Sequence, residues 1–187
     1  FSKKKIFLLS IPIFFINLAT PLVGIVDTGL MGNLGQTKFL AATSIATSVM
    51  TMIIWSFGFL RMGTVGLVAQ SFGRGEFREI VRTILRNLLL AVFISLIIII
   101  LKPLIVSLIS NFFPTSTETQ NLINTYISIR IFSVPAELII YILIGFYLGI
   151  QKTNISSLLV ITLSVLNVLF SSFFVLSLGL EVPGVAL

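Results

Sequence analysis

Five apolar runs, each of membrane-spanning length and sparing in charge, constrain this chain more than any other feature. A helix crossing a bilayer needs about 20 predominantly apolar residues. Runs of that order lie at about 6–31, 39–70, 85–101, 123–150 and 155–178, and a further apolar stretch begins at about 184. A lone span in lipid must satisfy its own backbone hydrogen bonds, so these runs are expected to be helical despite their many β-branched residues. Barrel strands would be alternating segments of about 10 residues, and no run alternates. Lys3, Lys4 and Lys5 before an apolar run could open a signal peptide, but the run is too long and four more follow. The expected fold is an all-α integral membrane protein, with five transmembrane helices and the start of a sixth forming one lobe over 1–187. The chain starts at Phe1 and stops in Gly184-Val185-Ala186-Leu187, which reads as a fragment cut where another helix begins.

Composition narrows the chemistry. Charged residues are 10%, against about 25% in a soluble domain, and the mean hydropathy is +1.15. His and Cys are both absent. That removes disulfides, thiol redox chemistry, Cys or His metal sites and every His-based triad. No catalytic residue, metal site or cofactor is expected, and an enzyme is disfavoured. The net charge of +6 would suggest nucleic acid in a soluble protein. In a membrane protein basic residues mark topology first, and no nucleic-acid partner is expected.

With the N-terminus inside, the inner face collects Lys3, Lys4, Lys5, Arg74, Arg78, Arg82, Arg86 and Lys152, and the outer face Lys38 and Lys102. This positive-inside bias predicts a multi-pass protein of the cell (inner) membrane with a cytoplasmic N-terminus. Arg78, Arg82 and Arg86, four apart, read as snorkelling residues of an interfacial helix start; binding of anionic membrane lipid is the sharper reading.

Charges inside the spans are costly, at roughly 2.5–3.5 kcal/mol each at mid-bilayer, so each needs a partner, water or a task. Four qualify: Asp27, Arg61, Arg130 and Glu137. Arg61 could snorkel. Asp27, short and in the outer half of its span, cannot easily do so and is expected to have a role. Arg130 and Glu137 lie on one helix face, but two turns separate them by about 10 Å, so no direct bond is expected. They read as structural polar residues or substrate contacts. Pro12, Pro21 and Pro135 interrupt the spans and loosen or kink them; Pro12 and Pro21 are candidate hinges in the span that carries Asp27. Gly58, Gly63, Gly66 and Ala69 suggest a tightly packed second span. Asn167 and Ser171, four apart, give the fifth span a polar face at the level of Asp27. Interhelical bonding explains one such residue more easily than a cluster.

These segments resemble a known family. Pro21-Leu22-Val23-Gly24-Ile25-Val26-Asp27-Thr28-Gly29-Leu30-Met31-Gly32 resembles helix 1 of the multidrug and toxic compound extrusion (MATE) transporters. Phe59-Leu60-Arg61-Met62-Gly63-Thr64-Val65-Gly66-Leu67-Val68-Ala69-Gln70 is similar to helix 2 of the subgroup named after DNA-damage-inducible protein F. Ile129-Arg130 with Ser133-Val134-Pro135-Ala136 resembles its helix 4. Leu166-Asn167-Val168 and the run from Gly179 to Leu187 resemble helix 5 and the approach to helix 6. The resemblance runs along essentially the whole chain, in order.

It implies twelve helices in two lobes, of which this chain would be most of the N-terminal one, partnered by a C-terminal lobe of the same protein. It implies export of small amphiphilic or cationic substrates against inward H⁺ or Na⁺. The family's coupling carboxylate matches Asp27, its helix 1 proline Pro12, its helix 5 asparagine Asn167 and, in some relatives, a helix 4 tyrosine Tyr126. Relatives usually carry a second acid four residues after the asparagine; here that position is Ser171. This departure favours H⁺ over Na⁺, which prefers several oxygen ligands including charge. Two rival readings stand beside it: a lipid-intermediate flippase of the same superfamily, which would want several basic residues in a central cavity, and a non-transporting membrane scaffold.

Overall fold

The computed structural model describes residues 11, 13–14, 17–18, 22–30, 32, 37–179 and 181–186. Pro12 and Pro21, the candidate hinges, and Lys3, Lys4 and Lys5 lie outside them. Every regular element among the described residues is helical: α1 (22–30), α2 (Thr37–Ser56), α3 (Phe59–Gly73), α4 (Phe77–Ile100), α5 (Lys102–Phe112), α6 (Thr117–Arg130), a 3-10 turn (Ile131–Ser133), α7 (Val134–Gly149), α8 (Thr153–Ser172), a π turn (Phe173–Ser177) and α9 (Glu181–Ala186). Among the described residues, four continuous stretches are long and apolar enough to span a membrane: Thr37–Gly73, Phe77–Ile100, Thr117–Gly149 and Thr153–Ser177. The basic stretch Arg78–Arg86 is continuous with the span that follows it.

The breaks within spans have local causes. At Phe57-Gly58 the backbone tightens to i→i−3 bonds, Gly58 N–H donating to the Trp55 carbonyl at 2.9 Å. Pro135, in the first turn of α7, has no N–H to give. The Ile131 carbonyl is satisfied instead by Val134 N–H, which is what a 3-10 turn provides. Pro103 likewise sits in the first turn of α5, where a missing donor costs nothing.

α3 and α7 end in the same way. Gly75 adopts φ 73°, which brings Glu76 N–H to the Ser71 carbonyl at 2.9 Å. Gln151, not a glycine, adopts φ 61°, and Lys152 N–H reaches the Tyr147 carbonyl at 2.8 Å. Both closures satisfy carbonyls that a helix end would otherwise leave bare.

The span Thr117–Gly149 is the centre of the lobe. Its Ile127, Ile131, Val134, Leu138 and Ile142 are fully buried. They join Ala42, Ala46, Met50 and Ile54 of α2, Leu60 of α3 and Ala91 and Ile98 of α4 in one core. The spans α2–α3 and α6–α7 run parallel: Lys38 pairs with Glu118 at one end, Thr47 meets Tyr126 further in, and Gly149 meets Val68 near the other. Large apolar side chains cover the outside, among them Leu89, Phe93, Ile100, Leu158 and Leu176, as expected where lipid is the solvent.

The expectation that Gly63 and Gly66 mark a packing face is corrected. A Cβ at either would meet no other part of the described structure within 4 Å. The close approach is made by Gly145 and Gly149 instead. A Cβ at Gly145 would lie 2.8 Å from the Arg61 carbonyl oxygen, and one at Gly149 2.7 Å from Val68 Cγ1. Small residues one turn apart let helices approach closely; here the pair lies on α7, not α3.

Candidate polar site within the lobe

Helices α1, α2, α6 and α8 bring polar side chains to one level. Asp27 comes from α1, and its Oδ1 is buried with no hydrogen-bond donor among the described residues. The Ser171 hydroxyl of α8 is the side chain that bonds toward this carboxyl, and the Arg130 guanidinium of α6 is the cation whose charge reaches it. Asn167, one turn before Ser171, also has a buried Oδ1 without a donor among the described residues. Tyr126, one turn before Arg130, is buried. Its hydroxyl accepts from Thr47 Oγ1 at 3.0 Å and lies within electrostatic reach of Asp27.

The structure thus brings Asp27, Ser171, Tyr126 and Arg130 into one electrostatic neighbourhood and gives Asn167 the same bare acceptor as Asp27. A buried acceptor without a donor costs about 1–3 kcal/mol, so a buried carboxylate oxygen in that condition favours a proton or a bound cation. No cluster of three acidic side chains that could hold a metal ion occurs among the described residues.

Arg130 and Glu137 correct the expectation that two turns keep them apart: Arg130 Nη2 lies 2.8 Å from Glu137 Oε1. The reason is reach. Helical side chains lean toward the N-terminus, so Glu137 bends back over the turn before it, where Ser133 Oγ sits 2.9 Å from Oε1. The long guanidinium stem covers the remaining turn. Beyond Glu137, the Arg61 guanidinium lies over the Tyr141 ring, 5.8 Å from its centroid, and Tyr141 in turn feels Glu137. Arg61 therefore has an aromatic partner inside the lobe. The four intramembrane charges alternate in sign: Asp27, Arg130, Glu137, Arg61.

Asp27 also faces a cleft of about 830 Å³ between α1 and α2, lined by Thr43, Thr47, Thr51, Met52 and Trp55 among others. That volume is within the roughly 300–1,000 Å³ of small-molecule sites. The threonines of this wall, and Ser44 and Ser48 beside them, were not singled out from the sequence. Their signal was present, since hydroxyls at 43, 47 and 51, four apart, make a polar stripe on one helix face.

Residues 12–173 match the MatE family profile. DNA damage-inducible protein F of Escherichia coli K12 is 30% identical over 186 residues, all but the whole of this chain but 40% of that protein. A probable multidrug resistance protein NorM of Listeria monocytogenes is 24% identical over 149 residues, 80% of this chain and 32% of the relative. The lobe also superposes on crystal structures of MATE in its straight conformation (TM-score 0.88, 25% identity, 98% of this chain and 41% of that one) and in its bent conformation (TM-score 0.90, 24%, 98% and 41%). This chain spans about two fifths of the length of the relatives that it matches most fully. A polytopic helical lobe, a profile match along most of the chain and a relative 30% identical over nearly all of it have one meaning: this is a multi-pass membrane protein of the MatE transporter family.

Proposed function

We propose that the chain belongs to a secondary-active exporter of small amphiphilic or cationic substrates, driven by inward proton movement, with Asp27 as its coupling carboxylate. One observation carries the reading. Asp27 keeps a buried oxygen with no donor among the described residues while facing a cleft of ligand size. Asn167 and Ser171 supply the polar surroundings that an ionised carboxylate needs, and Tyr126 closes the side toward α2. Ser171, where relatives carry a second acid, favours H⁺ over Na⁺. A flippase of lipid intermediates fits less well, because the cleft's lining includes no Lys or Arg among the described residues.

The orientation follows the positive-inside rule. The fold gathers Arg74, Arg78, Arg82 and Lys152 at one end and Lys38 and Lys102 at the other, which supports a cytoplasmic side at the first end. The protein is then an inner-membrane transporter with its N-terminus inside, and alternating access is rocking of this lobe against a C-terminal partner lobe. The span that carries Asp27, with Pro12 and Pro21, is the bending element of this reading.

The driving force is adequate. One proton crossing down about 100 mV contributes about 2.3 kcal/mol, and one pH unit adds about 1.4 kcal/mol. For a neutral substrate the two sustain a gradient of a few hundred-fold. For a monovalent cation exchanged one for one, only the pH term remains. The test is efflux of a lipophilic cation and of a neutral amphiphile from vesicles holding the full-length protein, with the pH gradient and the membrane potential set independently. An imposed pH gradient should drive both. Transport that ignores the pH gradient and follows Na⁺ would overturn the ion assignment.

A further inference from the structure

The ion pair between Arg130 and Glu137 is left unused by that reading. Arg130 Nη2 is 2.8 Å from Glu137 Oε1, and both side chains are about three-quarters buried. The charge of the guanidinium also reaches Asp27 and Tyr126. Arg130 closes α6, directly before the 3-10 turn Ile131–Ser133 that joins it to α7. Its acid partner rides on α7, and the second acid on α1. One cation therefore acts on carboxylates carried by different helices, and one of those, Asp27, has an oxygen with no donor among the described residues. A guanidinium presents five N–H donors in a planar fork, so it suits a contact that is passed from one carboxylate to another.

We propose that Arg130 is a shared counter-ion, held by Glu137 while Asp27 is protonated and passed to Asp27 when its proton leaves. The inference rests on Asp27 being the coupling group and adds a residue that times the exchange. Charge accounting supports it. With Asp27 protonated, Arg130 and Glu137 cancel. When the proton leaves to water in the cleft, the set carries one negative charge. Arg130 moves to the new carboxylate, and Glu137 is left as the free anion, so that a cationic substrate restores neutrality. Burial makes either uncancelled state expensive, which ties departure of the proton to arrival of the cation. The groups facing Asp27 are Arg130 and Tyr126 from α6, Ser171 from α8 and Thr43 and Thr47 from α2, with Glu137 behind Arg130. Among the described residues Arg130 is the one cation in this set. It is a positioning residue, acting on the proton through Asp27.

The test is a set of double-mutant cycles on the thermal unfolding of the purified full-length protein, at pH 5 and at pH 9. One cycle pairs Arg130→Gln with Glu137→Gln. The other pairs Arg130→Gln with Asp27→Asn in a Glu137→Gln background, where loss of Arg130 leaves no unpaired acid at Glu137. The Asp27–Arg130 coupling should be smaller at pH 5 than at pH 9, where it should reach at least about two degrees in Tm. The Glu137–Arg130 coupling should be larger at pH 5. Arg130→Lys should keep part of both, which guards against a variant that fails to fold. A second readout is proton release when tetraphenylphosphonium is added to lightly buffered protein. Its pH midpoint should fall in Glu137→Gln, where Arg130 is free for Asp27, and rise in the Arg130→Gln/Glu137→Gln double variant. No Asp27–Arg130 coupling at either pH would overturn the hand-over even if transport proved proton-driven. Coupling that switches on with pH while transport ignores protons would keep the hand-over and sink the transport reading.

Discussion

Gly149 on α7 lies so close to Val68 on α3 that a Cβ at the glycine would fall 2.7 Å from Val68 Cγ1 and 3.1 Å from the Val65 carbonyl oxygen. One turn earlier, Gly145 is as tight against the Arg61 backbone. This contact joins the second and fourth spans in the half of the lobe beyond the polar site. Gly145→Ala and Gly149→Leu should each destabilise the full-length protein by about 1–3 kcal/mol through overpacking, lowering Tm in detergent. Gly63→Ala, on the open side of α3, should leave Tm unchanged or raise it slightly, because alanine favours helix by up to about 1 kcal/mol. Equal losses at Gly63 and Gly149 would contradict this packing.

Thr47 and Tyr126 tie the same two spans together at the level of Asp27, hydroxyl to hydroxyl at 3.0 Å. Tyr126→Phe should cost about 0.5–1.5 kcal/mol of stability. The loss should vanish when Thr47 is already Val, since the bond is then gone. A double-mutant cycle on Tm measures it; full additivity of the two substitutions would show that the bond contributes nothing.

The absence of Cys permits single-cysteine topology mapping. Ser116, exposed before α6, and Lys152, exposed after α7, stand at opposite ends of one span. In whole cells a membrane-impermeant maleimide should label Ser116→Cys and spare Lys152→Cys until the cells are opened. Labelling of position 152 from outside would reverse the orientation.

Much of this architecture was legible in the sequence, because lipid leaves a lone apolar span little choice but to be helical. Asp27, Asn167 and Ser171 were also legible, as polar residues too costly to carry without purpose in a span. What escaped depends on which helix stands beside which. Periodicity identifies a face of α3 but not its neighbour, so Gly63 and Gly66 were read as the contact that Gly145 and Gly149 make. The Thr47–Tyr126 bond requires the parallel register of two spans almost eighty residues apart in sequence. Arg130 and Glu137 were held apart by counting rise per residue, which ignores how far a glutamate leaning back and an arginine leaning forward can reach.

The central claim is that Asp27 carries the coupling proton, and substitutions at its own site test it most directly. Efflux of a cationic dye from energised vesicles bearing the full-length protein, measured across a pH series with and without Na⁺, separates binding from coupling. Asp27→Asn should keep expression but lose gradient-driven efflux. Asn167→Ala should be milder and shift the pH optimum, because it changes the surroundings of the carboxyl without removing it. Efflux by Asp27→Asn at the wild-type rate, with the wild-type dependence on pH, would contradict the account.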